Sequence, residues 1–333
     1  MPTAESFPRR RLNAEVRLNR RICRDHFLLR LRLDGEMGPT RPGQFVQIGC
    51  RPVPGDQDRE SLLGRAQPWG PLSPELSQPE LNGPMALLRR PFSLAGRGED
   101  DTGSTWIDVV HRVVGVGTRW LGELPEHGAV DLIGPLGNWF QLPHDKSIGL
   151  LVGGGVGLPP MFYLAEALFE AGWYAVAFVG ATTSDLLAVD FVDEVEPDRE
   201  GLPLQSVAQF SRFGTPAVVC TDDGSVGLKG LITDGLERSL QMMDRPKREQ
   251  TVVFACGPHA MMRATNRLAR HMGVACQVCL EQQMACGMGT CQSCAVPIFD
   301  RPRTGLGGDA DEARRYRLTC HEGPVFDGCD VVW

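Results

Sequence analysis

The chain reads as a multidomain β plus α/β protein: an antiparallel β-barrel, then a doubly wound parallel sheet, then a short cysteine-bearing domain. Three observations carry that reading. Up to about residue 145, short runs alternate apolar and polar residues between Gly and Pro turns. From Lys146 the pattern changes to continuous apolar runs separated by amphipathic segments, as in a parallel sheet covered on both faces. Seven of the 11 cysteines lie between Cys256 and Cys320, where that regularity fades. The 333 residues suit two or three domains at roughly 100–200 residues each. The expected boundaries are 1–145, with an inserted loop at 51–85, then 146–273 and 274–333.

In chain order, Phe27–Leu33 alternates as a half-buried strand, and Gln44–Ile48 forms another after the turn Arg41-Pro42-Gly43. Residues 51–85 are dominated by prolines, glycines and charges and read as a surface loop. Strand patterns resume at 86–95, 105–114 and 129–133. Ile148–Val152, Trp173–Val179, Ala217–Cys220 and Thr251–Ala255 are apolar strand runs. Helical spacing covers Met161–Ala171, 229–242 and 259–272.

Composition removes several classes. A net charge of −7 argues against a nucleic-acid binder. Ile148–Ala165 carries no charge, but its glycines and the Pro159-Pro160 pair exclude a membrane helix. The N-terminus has arginines and no apolar targeting segment. An odd, clustered cysteine set points to a metal or redox site in a reducing, cytoplasmic setting.

Three motifs carry chemistry. Cys286-Gly-Met-Gly-Thr-Cys291-Gln-Ser-Cys294 has the C-x4-C-x2-C spacing of plant-type [2Fe–2S] sites. Three thiolates must converge from one tight loop, and Gly287 and Gly289 let the backbone wrap closely. A fourth ligand comes from Cys320 or Cys329; the strand-like Tyr316–Thr319 run would present Cys320 rigidly. Cys276-Gln-Val-Cys279 has zinc-type spacing, but it lies in an apolar run where cysteines behave as small hydrophobes. Leu150–Pro160 is a strand, a glycine loop (Gly153, Gly154, Gly155, Gly157) and a helix start, which suits a pyrophosphate at a helix N-terminus. Arg89-Arg90-Pro91-Phe92-Ser93 places a proline in a strand, as at an edge or bulge, so backbone groups there are left for a ligand. Arg90 can pair with a phosphate and Ser93 can hydrogen-bond a ring nitrogen.

Together these motifs resemble the ferredoxin-NADP reductase superfamily, and within it the electron transfer subunits of class B dihydroorotate dehydrogenase. The resemblance runs through Arg90–Ser93, Gly115–Thr118, Gly134–Phe140, Gly153–Pro160, Thr221–Gly227, Cys256–Met262, Leu280–Cys294 and Cys320–Phe326. It implies an FAD-binding barrel, an NAD-binding domain and a C-terminal [2Fe–2S] domain. It further implies an oxidoreductase that passes electrons between NAD(H) and a separate FMN-containing catalytic subunit, assembled as a heterotetramer, in pyrimidine biosynthesis. Carried over by position, Arg90, Pro91, Phe92 and Ser93 line FAD. Val110, His111 and Arg112 fall on its ribityl–phosphate side, and Gly117 and Thr118 meet the pyrophosphate. Gly153–Gly157 and the Cys256-Gly257-Pro258 turn face the nicotinamide, with Ser93 and Cys256 nearest the reacting atoms. The resemblance selects Cys320 as fourth ligand beside Cys286, Cys291 and Cys294. Related reductases serve ferredoxin or other redox partners, so an NAD(P)H-dependent reductase of that kind is the alternative. The chain departs from the family in the 51–85 loop, in an insertion within 295–315 and in its terminal Trp333.

Overall fold

The computed structural model describes residues 9–53, 88–299 and 314–333. Most of the 51–85 loop and the core of the 295–315 insertion lie outside the described residues.

The first body is a closed six-stranded antiparallel barrel. Its strands are β1 (Arg10–Cys23), β2 (His26–Asp34), β3 (Phe45–Ile48), β4 (Arg90–Glu99), β5 (Thr105–Arg112) and β6 (Ala129–Leu136), in the order β1-β2-β5-β4-β3-β6. Alternation builds it. Leu29, Leu31 and Leu33 of β2 point inward with Val46 and Ile48 of β3 and Leu94 of β4, all buried. Arg30, on the outward parity, forms a two-bond pair with Asp108 at 2.8 Å and lies over Trp106. A seven-residue helix, α1 (Val116–Gly122), follows β5.

The second body is a seven-stranded sheet ordered β10-β9-β8-β7-β11-β12-β15. It comprises β7 (Ile148–Gly154), β8 (Tyr174–Ala181), β9 (Ala217–Thr221), β10 (Leu228–Lys229), β11 (Thr251–Cys256) and β12 (Ala275–Cys279), with β15 (Val325–Asp327) antiparallel at one edge. The apolar runs are continuous because both faces are covered. Leu151, Val179 and Phe254 pack under helix α2 (Leu158–Glu170), whereas Leu150, Phe178, Val253 and Ala255 face α3 (Ile232–Met242) and α4 (His259–His271). No helix among the described residues is long and apolar enough to cross a membrane.

β13 (Ala295–Phe299) and β14 (Arg314–Leu318) form a separate hairpin. The cysteine-bearing segment is not a free-standing unit: its two flanks, β12 and β15, complete the sheet, Val296 and Ile298 of the hairpin pack into the sheet's core, and the cysteine loop meets the barrel at Phe45, Gln47 and Leu136. The terminal Trp333 donates its indole N–H to the Gly328 carbonyl at 3.0 Å and packs edge-on against His259.

Asn138 is a main tie between segments. Its Nδ2 donates to the Glu322 and Val325 carbonyls at 2.9 and 2.8 Å, and its Oδ1 accepts from the Val325 N–H at 2.8 Å. At about 1 kcal/mol for each bond, Asn138→Ala should lower stability by about 3 kcal/mol. Urea unfolding monitored by tryptophan fluorescence checks this, and an unchanged midpoint would contradict it.

Candidate functional site

The β4–β5 ladder stops at the pair Leu94–Val109. Beyond it, Arg90–Ser93 stay paired with β3 alone, and Val110–Arg112 with β2 alone. The barrel wall thus opens between the two segments that sequence reasoning singled out. Pro91 is tolerated there because β4 has lost its neighbour on one side.

Three side chains give this opening its chemistry. Arg89 is engaged by Asp131, which also takes Arg11, whereas Arg90 has no ion pair among the described residues and donates only to the Leu88 and Arg89 carbonyls. Its charge is therefore available to an anionic group. His111 is 1% exposed, stacked on Phe27 and edge-on to Phe92, and neither ring nitrogen has a partner among the described residues. Burial first, and neighbouring His26 second, push its pKa down to about 4, so the ring is neutral at pH 7. Two orphaned nitrogens at an open wall suit a bound polar group. Thr118, at the start of α1, instead spends its hydroxyl on its own loop, accepting from the Val114 and Gly115 N–H groups at 2.9 and 3.2 Å. Gly117 is buried beside it.

The glycine loop lies at the C-terminal end of β7, and the Cys256-Gly257-Pro258 turn lies at that of β11. These two parallel strands are adjacent, and strand order reverses between them, so their loops flank the crevice where doubly wound sheets bind ligands. The loops touch through backbone. A Cβ on Gly257 would lie 3.0 Å from the Gly154 carbonyl, and one on Gly157 would fall on the Cys256 carbonyl. Gly155 has φ +55°, and its Cβ direction is open space. Pro159 and Pro160 sit in the first turn of α2, where missing N–H groups are not needed. Cys256 stands directly opposite Cys279 on β12; that neighbouring thiol, then burial, holds its pKa well above the ordinary thiol range. It is a neutral, packed thiol.

The third cluster of residues is the cysteine loop. Cys286 Sγ accepts N–H bonds from Met288 and Cys291, each at 3.4 Å, and Cys294 Sγ accepts from Cys320 N–H at 3.4 Å. Thr319 pins the second pair by donating its N–H and hydroxyl to the Cys294 carbonyl. Cys291 is exposed, and the Ser293 hydroxyl and amide, then Cys286, lower its pKa to about 6. Burial, then Cys294, raises Cys320 to about 12. The thiols thus stand as two neighbouring pairs, Cys286 with Cys291 and Cys294 with Cys320. Two pairs fit the four-thiolate donor set of a two-iron cluster. Cys329 stays with β12, where its neighbour Gly328 donates to the Cys276 carbonyl.

Strand β3 joins these sites, which the sequence reading missed. Phe45 pairs with Ser93, and Gln47 with Pro91, so all four point to one outer face of the barrel. Phe45 and Leu136 on that face form one apolar cluster with Cys294 and Cys320. The available signal was parity: Phe45 and Gln47 alternate with the inward Val46 and Ile48, so a fully buried strand must have something covering its second face.

Family models match two parts of the chain, and similar proteins match across most of its length. Residues 281–332 match the iron–sulfur cluster binding domain of dihydroorotate dehydrogenase B, and residues 151–267 match the oxidoreductase NAD-binding domain. The electron transfer subunit of NAD-dependent dihydroorotate dehydrogenase B from Caldanaerobacter subterraneus subsp. tengcongensis is 28% identical over 97% of this chain and 99% of its own. The subunit of the same name from Listeria monocytogenes serotype 4b is 34% identical over 74% of this chain and 81% of its own. A solved NADH-dependent reduced ferredoxin-NADP oxidoreductase, described in connection with flavin-based electron bifurcation, superposes with a TM-score of 0.67 at 26% identity, over 96% of this chain and 90% of that one.

Proposed function

The chain belongs to the family of electron transfer subunits of dihydroorotate dehydrogenase B, and we propose that it carries electrons between NAD(H) and a separate FMN-bearing dihydroorotate dehydrogenase, in a cytoplasmic heterotetramer of pyrimidine biosynthesis. Its cofactors are FAD, a [2Fe–2S] cluster and NAD(H). FAD takes a hydride's two electrons together and releases them singly, so it stands between a nicotinamide and a one-electron cluster.

The residues divide that work. The barrel of 1–145 would hold FAD: Pro91, Phe92 and Ser93 would line the flavin, with the Ser93 hydroxyl able to hydrogen-bond a ring nitrogen. Arg90 neutralises phosphate charge, Val110, His111 and Arg112 form the facing wall, and Gly117 and Thr118 approach the pyrophosphate by backbone. In 146–273, Gly153, Gly154, Gly155, Gly157, Gly257 and Pro258 shape the nicotinamide crevice, and Cys256 lines it as a neutral thiol. In 274–333, Cys286, Cys291, Cys294 and Cys320 hold the cluster. The observation that carries this reading is the shared outer face of β3 and β4, which sets Ser93 beside Phe45 and Phe45 against Cys294 and Cys320. Cys291 is exposed, so the cluster end offers a short route to a docked partner.

Co-expression of this chain with the dihydroorotate dehydrogenase from the same source tests the reading. NADH formation on adding dihydroorotate, dependent on both chains, is the expected result. A coloured, NADH-oxidising protein that neither binds nor couples to that dehydrogenase, but reduces ferredoxin, would retain the cofactors and replace the partner.

A further inference from the structure

Gln47 is a polar side chain in a place that would otherwise be apolar. It is 1% exposed, and its Nε2 has no hydrogen-bond partner among the described residues. Its parity on β3 turns it away from the barrel core, toward the cysteine loop. There it lies against Gly287: a Cβ on that glycine would stand 2.5 Å from Gln47 Cδ and 2.6 Å from Nε2. Gly287 follows Cys286 directly and has φ +69°. The amide therefore abuts the backbone of the loop that carries the first cysteine pair, while its strand neighbour on the other side is Pro91. A buried amide donor left without a partner costs about 1–3 kcal/mol. Leucine or methionine would fill the same space without that penalty.

We propose that Gln47 is a positioning residue for the cluster: it seats the Cys286–Gly289 loop on β3 and directs its unpartnered N–H toward the sulfur ligands. The inference rests on the cluster assignment above and deepens it. Reduction adds negative charge to the cluster, and an N–H donor directed at sulfur stabilises the more negative state, which raises the reduction potential. Gln47 would thereby set how readily an electron crosses between the flavin strand and the cluster.

The test is a redox titration of the purified, flavin-loaded protein followed by EPR, with Gln47→Leu and Gln47→Met. Both variants fill the space and remove the donor. The expected result is full iron content, unchanged flavin potential and a cluster about tenfold harder to reduce, a shift of about −59 mV for a one-electron couple. Pulsed EPR of the reduced protein in D2O should lose one exchangeable-deuteron coupling in the variants. Full clusters with unchanged potential and unchanged couplings would overturn the inference and leave Gln47 a packing residue. Variants that keep flavin and melting temperature but fail to load iron would support the seating role. A wild-type protein without iron or EPR signal would instead overturn the cluster assignment itself, so the two failures are distinguishable.

Discussion

Cys291→Ser is expected to remove the cluster and all partner-coupled turnover while leaving NADH oxidation by a dye at the wild-type rate. The choice among the four cysteines follows from burial. Cys294 and Cys320 are 2% and 1% exposed and pack with Phe45 and Leu136, so a serine at either would bury a hydroxyl in an apolar cluster. Loss of function there would mix cluster loss with local unfolding. Cys291 is exposed, and its thiol meets the Ser293 hydroxyl at 3.2 Å, an interaction a serine can keep. The substitution removes the exposed thiolate of its pair and leaves the barrel and sheet intact. Iron content and visible absorbance report the cluster, NADH–dye assay reports the flavin and nicotinamide sites, and coupled NADH formation reports the whole chain. Survival of coupled turnover with full iron would show that Cys291 is not a ligand.

The barrel and the parallel sheet were legible because their signals are local. β2 alternates and β7, β8, β9 and β11 are unbroken apolar runs, and each property is set by which faces are buried. The three-residue β15 and two-residue β10 carry no such period. Their existence depends on partners far away in the chain, as when Val278 of β12 pairs with Phe326. For the same reason the sheet extends past the boundary expected at residue 273, through β12 and then β15.

The candidate site was legible where a motif is contiguous. The cysteine loop, the glycine loop and Arg90–Ser93 are each short segments. Contiguity also showed which residues belong together, but not how they are used. Arg89 and Arg90 are equivalent in sequence, and only the Asp131 carboxylate, brought alongside by β6, commits Arg89, whereas Arg90 has no ion pair among the described residues. Thr118 matches a phosphate-loop position, yet its hydroxyl caps its own loop. Phe45 and Gln47 belong to no motif. Their role comes from two pairings at once, β3 with β4 inside the barrel and β3 against the cysteine loop outside it.

Two glycines of one loop should fail in different ways. At Gly157 the backbone is in an ordinary conformation, φ −84°, but a Cβ would fall on the Cys256 carbonyl. Gly157→Ala must therefore push β7 and β11 apart at their C-terminal ends. Overpacking of this kind costs about 1–3 kcal/mol, and it also displaces the first turn of α2. At Gly155 the reverse holds: the Cβ meets nothing within 4 Å, but φ is +55°, a region that costs an alanine about 1–2 kcal/mol. The open direction at Gly155 is toward solvent, in the crevice assigned to the nicotinamide cofactor. Gly155→Ala should thus raise the KM for NADH about tenfold while flavin content and iron content stay at wild-type levels, because the methyl occupies cofactor space and little protein has to move. Gly157→Ala should raise KM as strongly and lower the thermal midpoint further than Gly155→Ala does, since its clash is with the backbone of a neighbouring strand of the sheet. Steady-state NADH–dye kinetics with parallel melting curves separate the two. If neither substitution changes KM, the crevice between β7 and β11 is not where the nicotinamide binds. If Gly155→Ala destabilises more than Gly157→Ala, backbone strain outweighs the strand–strand clash in this loop.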